Sequence, residues 1–414
     1  MRHTLSILLL LLLSASASAQ LKPRPDAFPS KPEAVETKAL SMAASVEEMA
    51  GWDRYPTYDT YLAMMHQWAE EYPTLCHVDT IGISVQGRLI LSMYIESQTD
   101  ADLYRPEFFY SSTIHGDEVT GYVMMLRLID TLLTSYGTSP ELTSLMDRTR
   151  ISINPLANPD GTYRRGDHTV QGAQRENANG VDLNRTYPNP FSVTAKNVPQ
   201  ENQAMMDYFA AHSFRLSANL HGGAEVMNYP WDSFTSASNP HPASDWWQAV
   251  CKRFVDTARV YSNSHFRDVT TSGYIAGGDW YVIDGGRQDY VNYYHNCLEM
   301  TMEISTRKTL SSDRLPEYWQ FLAPSFINYI DEIHNLPDNI SISTLETERI
   351  AVFPNPATDR VTVTGLPEGS LIELYDASSR LILITHHSSF IISNLPSGLY
   401  LLRTAKGTAK ILKQ

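Results

Sequence analysis

The sequence predicts an α/β protein with a mixed, largely parallel central sheet flanked by helices, followed by a small C-terminal antiparallel β-sandwich. Three observations predict this. Short apolar runs alternate with helical periodicity through the middle of the chain, and His and Glu residues fall where those runs end. Near Ile350 the texture changes to brief alternating segments without Trp or Cys. With 414 residues, 43% hydrophobic and 19% charged, the chain can bury a large core and carries no signature of disorder.

Residues 1–19 read as a signal peptide: Arg2 gives a positive start, Leu8 to Leu13 an apolar core, and Ala17-Ser18-Ala19 a small-residue cleavage site before Gln20. The apolar run is shorter than the roughly 18 to 20 residues that span a bilayer, and no later stretch is longer, so no transmembrane segment is expected in the mature chain. Residues 20–48, with Pro23, Pro25, Pro29 and Pro32, read as an irregular leader, too short for a globular prodomain. Residues 49–337 then form the domain that bears the chemistry, and residues 345–414 the sandwich.

Charge and cysteine content exclude some classes. The balance of 32 Lys+Arg against 46 Asp+Glu, net −14, argues against a nucleic-acid partner bound by bulk positive charge. Three cysteines rule out a disulfide-built miniprotein, and Cys76, Cys251 and Cys297 read as buried small hydrophobes. Once Arg2 leaves with the signal, about −17 falls on residues 20–349 and +2 on the tail, so the acidity belongs to the first domain and favours cationic partners.

Phe108 to Ser112 reads as a strand. Val119 to Leu133 reads as a helix with Val123, Leu126, Ile129 and Leu133 on one face. His115 and Glu118 sit on the turn between them, and ligands in open α/β sheets bind beyond the carboxyl ends of strands. Of the 13 His, only His115 has Glu at the third following position. A second strand, Leu216 to Leu220, runs directly into His221-Gly222-Gly223. Two imidazoles and one carboxylate suit a catalytic Zn²⁺ with a fourth position left for water. Taken singly, each His also reads as a surface or hydrogen-bonded residue.

A third strand, Cys297 to Ile304, places Glu299, Thr301 and Glu303 on one face. Glu299 reads as a structural carboxylate bonded to backbone or Arg, and Glu303 as one facing an activated water. Between these strands lies the polar, Gly-broken stretch from Arg175 to Arg185. Its two Arg and an Asn can clamp a substrate carboxylate and a developing oxyanion; by composition alone it also reads as a solvated loop.

Several ordered strings together resemble the zinc metallocarboxypeptidase family, and within it the carboxypeptidase N/E-like subfamily. They are His115-Gly116-Asp117-Glu118, Asn158-Pro159-Asp160-Gly161, Asn177 to Arg185, His221-Gly222-Gly223-Ala224, Asn228-Tyr229-Pro230-Trp231-Asp232, Asp279-Trp280-Tyr281, Gly285 to Tyr290 and Glu303-Ile304-Ser305. They extend over about Trp52 to Asn335. The resemblance implies the zinc carboxypeptidase fold, one zinc held by His115, Glu118 and His221, and Glu303 as general base and then acid toward the zinc water. It further implies that Arg175 polarises the scissile carbonyl, that Asn184, Arg185 and Tyr281 hold the terminal carboxylate, and that Tyr281 lies on a mobile loop. Asp232 and Gln288 match positions where the subfamily recognises basic side chains, so the expected substrates are peptide or protein C-termini ending in Lys or Arg. Without that context Asp232 also reads as a loop cap.

The tail resembles the C-terminal sorting domain of the type IX secretion system. The residues are Phe353-Pro354-Asn355-Pro356, Leu374-Tyr375-Asp376, Leu395 to Tyr400 and the basic end Lys410 to Lys413; Ser378-Ser379-Arg380 departs from the usual Gly before Arg. The resemblance implies export through the periplasm to a secreted or cell-surface location, with the secretion machinery as a partner. Two rivals remain. A zinc-dependent amidase or deacylase on the same scaffold would not need the complete clamp, and an inactive peptide-binding module would lack a zinc ligand or the base.

Overall fold

The computed structural model describes residues 40–98, 104–192, 196–337, 351–364, 366, 369–376, 380–404 and 407–414. The signal peptide, the leader up to residue 39, and Ser378-Ser379 lie outside the described residues. The chain divides into two compact units, with the boundary at Ile340/Ser341.

The first unit is built on eight strands: β1 (Cys76–Ile83), β2 (Leu89–Ile95), β3 (Glu107–Ser112), β4 (Arg150–Asn154), β5 (Phe214–His221), β6 (Ala224–Tyr229), β7 (Tyr274–Ala276) and β8 (Leu298–Ser305). They lie in the order β1-β2-β4-β3-β5-β8-β6-β7. The inner strands β4, β3, β5 and β8 are parallel, whereas β1, β2 and β6 meet their neighbours antiparallel, except for the parallel β6–β7 pair. The sheet is therefore mixed, as the sequence predicts. Its inner strands are buried on both faces, so β3 carries the unbroken run Phe108-Phe109-Tyr110, whereas β8 alternates apolar and polar residues and buries Glu299, Thr301 and Glu303 along with its apolar face.

The longer helices are α1 (Tyr58–Glu71), α2 (Thr120–Ser135), α3 (Pro140–Arg148), α4 (Gln200–Ala211), α5 (Ser244–Tyr261), α6 (Arg287–His295) and α7 (Leu315–Asp331). In α2 the predicted apolar face is buried, but so are Met124, Met125, Leu128 and Leu132. The reason is that α2 packs against the sheet and also against α7.

The last described residues of the leader and those just after it are regular. Met42–Ala43 pairs in parallel with Tyr55–Pro56, Glu47–Met49 forms a 3-10 turn, and Ala43 and Met49 are buried in the first unit. Glu299 has the structural role expected of it. Arg287 grips it through two bonds of 2.9 and 3.0 Å, Ser217 Oγ donates to it at 2.8 Å, and both charged side chains are fully buried. Cys76, Cys251 and Cys297 are free and buried; burial pushes the Cys76 thiol up to about 12. Among the described residues no helix is long and apolar enough to cross a membrane.

The second unit holds two antiparallel sheets. One joins Ala351–Phe353, Arg360–Thr364 and Ser389–Ile391, and the other joins Ile372–Asp376, Leu381–Thr385, Gly398–Thr404 and Gly407–Lys413. Alternation sends Val361, Val363, Ile372, Leu374, Tyr400, Leu402 and Ile411 into one apolar core.

Candidate active site and metal centre

Two parallel strands deliver the first groups. β3 ends at Ser112, and the turn that follows carries His115 and Glu118 into the start of α2. β5 lies beside β3 and ends on His221. The three side chains converge at this end of the sheet, with all three ligand atoms within 4.8 Å of one another and each residue 3% exposed. Glu118 Oε2 stands 3.0 Å from His115 Nδ1 and 2.8 Å from His221 Nδ1, while the two Nδ1 atoms are 3.1 Å apart.

Second contacts decide which ring nitrogens are protonated. His115 Nε2 faces Asp182 Oδ1 at 3.2 Å, so it carries the proton and leaves Nδ1 with a lone pair. His221 Nε2 lies 2.9 Å from the Asn219 side-chain amide, whose Oδ1 as assigned is buried without a partner. Turning that amide over lets Oδ1 accept from Nε2–H and again leaves Nδ1 as the lone pair. Two imidazole lone pairs facing each other across 3.1 Å in a buried site cannot bond to one another. A cation between them, shared with Glu118, satisfies all three, and two His with one carboxylate is a zinc donor set.

The charges fit such a site. Burial alone would raise the Glu118 carboxyl, but His115, Lys308 and His221 outweigh it and hold it well below the usual carboxylate range. Lys308 Nζ lies 3.4 Å from Glu118 Oε1 and 3.1 Å from Asp117. Burial lowers His221 to about 4, which keeps the ring neutral and ready to ligate.

Glu303 arrives through strand register. β8 lies parallel to β5 with Glu303 opposite His221 and Thr301 opposite Asn219, so a buried carboxylate stands on the rung next to a member of the His-Glu-His cluster. Arg175 reaches the triad from the polar loop: its Nη1 is 3.1 Å from His115 Nδ1 and its Nε donates to Asp182 Oδ2 at 2.8 Å. Asp182 also starts the short turn Leu183–Arg185 by accepting from the Asn184 backbone at 2.9 Å. One carboxylate thus aligns a ligand, a guanidinium and the residues Asn184 and Arg185.

Asn184 is buried and accepts from the Arg287 backbone at 2.8 Å, and Arg185 Nη1 donates to the Asn184 carbonyl at 2.7 Å. Tyr281 follows the short helical turn Gly277–Trp280 and is among the groups whose charge acts on Arg175, after Asp182 and Glu118. Asp232 is 3% exposed, accepts from Gln288 Nε2 at 3.0 Å and feels the charge of Arg185. A Cβ on Gly277 would lie 1.9 Å from Asp232 Oδ1, so only glycine admits the carboxylate there. Burial, followed by repulsion from Asp289, pushes Asp232 well above the usual carboxylate range. Asp289 itself accepts from the backbones of Asp232 and Ser233 at 2.8 and 2.9 Å.

The structure therefore places all ten sequence-predicted site residues around one end of the sheet. Sequence reasoning left Asp182, Asn219, Asp289 and Lys308 without roles. Asp182 and Asp289 stand inside recognised strings and Asn219 two residues before a ligand on the same strand face, so those three had a signal; Lys308 had none.

Comparison with known proteins agrees with this geometry. Residues 61–328 match the zinc carboxypeptidase family, and residues 351–414 match a secretion system C-terminal sorting domain. That tail marks the protein as secreted or cell-surface. Carboxypeptidase M of Mus musculus is 33% identical over 293 residues, covering 68% of this chain and 66% of its own length. The carboxypeptidase N catalytic chain of Homo sapiens is 32% identical over 330 residues, covering 68% of this chain and 69% of its own. The chain thus spans just under two thirds of carboxypeptidase M. Among solved structures, the fold resembles that of thrombin activatable fibrinolysis inhibitor, with a TM-score of 0.60 at 16% identity over 69% of this chain and 76% of that one. A sequence match over most of the first unit and a shared fold thus lead to one conclusion: the chain belongs to the zinc carboxypeptidase family.

Proposed function

We propose that the chain is a secreted zinc metallocarboxypeptidase that hydrolyses the C-terminal peptide bond of peptides or proteins and releases Lys or Arg. The observation that carries this reading is the Glu303–His221 pairing across β5 and β8, which sets a carboxylate beside a buried two-His, one-Glu cluster. Zinc held by His115, Glu118 and His221 supplies Lewis-acid polarisation. Glu303 takes the proton of the attacking water and returns it to the leaving amine. Arg175 stabilises the charge that develops on the scissile carbonyl oxygen, and a buried guanidinium is effective there because little water screens it.

Asn184, Arg185 and Tyr281 hold the terminal carboxylate, which fixes the scissile bond one residue away. Asp232, with Gln288 beside it, takes the cationic end of the departing residue. That acidic group lies close to Arg185, so the same residue presents its carboxylate and its side-chain charge to adjacent anchors of opposite sign. The working enzyme corresponds to residues 49–337, and residues 345–414 serve as an export address read by type IX secretion machinery.

The test compares release of C-terminal Arg, Lys and Phe from matched peptides, with and without a zinc chelator. Chelator-sensitive release of Arg and Lys is expected. Equal release of Phe would overturn the basic preference, and cleavage that requires no free terminal carboxylate would favour the amidase reading.

A further inference from the structure

The loop that carries Tyr281 is fastened to the segment that follows Asn184 and Arg185, and the fastening converges on one side chain. Asp284 Oδ1 accepts from Asn189 Nδ2 at 2.5 Å, and Asp284 Oδ2 pairs with Lys196 Nζ at 2.5 Å. Around this point the two segments share one backbone contact, from the Tyr187 N–H to the Gly285 carbonyl at 3.0 Å, and the loop is also held to the chain after β6, where Ile283 N–H donates to the Asp232 carbonyl at 3.1 Å. Asn189 further reaches Ser233 Oγ at 3.3 Å, whose hydroxyl donates to the Ile283 carbonyl at 3.3 Å. Gly285, at φ +80°, sits so tightly on Arg185 that a Cβ would stand 2.4 Å from the Arg185 carbonyl oxygen.

We infer that Asp284 is a positioning residue for Tyr281. By drawing Asn189 and Lys196 onto one carboxylate, it clips the 281–286 loop to the chain at those two residues and so fixes the distance between Tyr281 and the Asn184-Arg185 half of the clamp. Asp284 itself does not line the metal cluster, and its side chain is about half exposed (47%), whereas Lys196 is largely covered (16%). The anchor is thus built at the rim, where it can act on the loop without touching substrate. This rests on the carboxylate-clamp reading above, because it assigns Asp284 an effect only through Tyr281.

The test uses the full chain and Asp284→Ala, with Lys196→Met as a second variant that removes one partner and leaves the loop sequence intact. In hydrogen exchange, the amides of Ile283 and Tyr187 are expected to lose protection in Asp284→Ala; unchanged protection overturns the proposal whatever the substrate proves to be. On peptides with a free C-terminal carboxylate, KM is expected to rise about fivefold with kcat changed less than about twofold, the size expected of one partly exposed ion pair. Lys196→Met gives part of that rise, and added salt raises KM more steeply in the wild-type enzyme than in Asp284→Ala. In a Tyr281→Phe background the Asp284→Ala penalty disappears, whereas a penalty of the same size there overturns the positioning role. If the wild-type chain releases no C-terminal residue from any peptide, the proposed function fails, and the exchange experiment still decides whether Asp284 clips the loop.

Discussion

Asp182 accepts the Nε2–H of His115 at 3.2 Å, and this contact determines that Nδ1 of His115 is the nitrogen offered to a metal. Because its other oxygen holds Arg175 at 2.8 Å, Asp182 ties His115 to the guanidinium proposed to meet the substrate carbonyl. Asp182→Asn keeps the shape but lets the side chain present a donor to Nε2, which favours the wrong tautomer. Zinc affinity is expected to fall about 10- to 100-fold, read by competition with a chromogenic chelator. Unaltered affinity would show that the contact does not orient the ligand.

Glu303→Gln isolates the proton-transfer step. The amide fills the same space on β8 yet cannot accept a proton, so kcat should drop by about 10² to 10⁴ while the chain still binds one zinc. Metal analysis of the purified variant beside peptide turnover checks this. Residual activity within a few fold of wild type would exclude Glu303 as the base.

Selectivity at Asp232 should depend on pH with a definite sign. Burial and then Asp289 hold its carboxyl above the usual range, so it takes up a proton at a higher pH than an ordinary Asp and, once protonated, offers no charge to an Arg or Lys side chain. KM for peptides ending in Arg should therefore fall as pH rises through that raised value, and KM for peptides ending in Phe should not follow it. Asp232→Asn should abolish the difference between the two profiles. Parallel profiles in the wild-type enzyme would refute the assignment.

A second buried acid affects stability rather than binding. Glu225 on β6 meets His265 Nδ1 at 3.2 Å, the Tyr318 hydroxyl at 3.2 Å and the Phe266 N–H at 3.1 Å. Burial pushes its carboxyl up to about 7, while burial also lowers His265 to about 3 and leaves that ring neutral. The folded value lies above the unfolded one, so the stabilisation from the protonated acid is fully present below about pH 4 and is lost as pH rises through 7, by about 3 kcal/mol in all. Glu225→Gln should flatten the dependence of Tm on pH between 5 and 8 and be the more stable form at pH 8. An equal slope in both proteins would show that Glu225 does not titrate there.

The cluster of His115, Glu118 and His221 was legible in the sequence because each residue lies at or just beyond a strand end, where local hydrophobic pattern and site location coincide. Glu303 was legible for a different reason: an acid on a strand otherwise made of core residues has to meet something. Register was not legible. Nothing local in β5 or β8 says that Glu303 pairs with His221, since that pairing comes from strands far apart in the chain. The roles of Asn189, Lys196 and Asp284 were hidden for the same reason, as their contacts join loops about 90 residues apart. The pairing of Met42–Ala43 with Tyr55–Pro56 was hidden as well, because two residues are too few to show a strand pattern in sequence.

The rung that sets Glu303 beside His221 also makes turnover a reporter of folding. A one-residue slip of β8 against β5 would turn every side chain of that strand to the opposite face and carry Glu303 away from the cluster, with the metal ligands left intact. Such a chain could still load zinc and yet be inert. For a protein with a secretion sorting tail, activity divided by bound metal would measure the fraction of molecules that found the correct strand alignment.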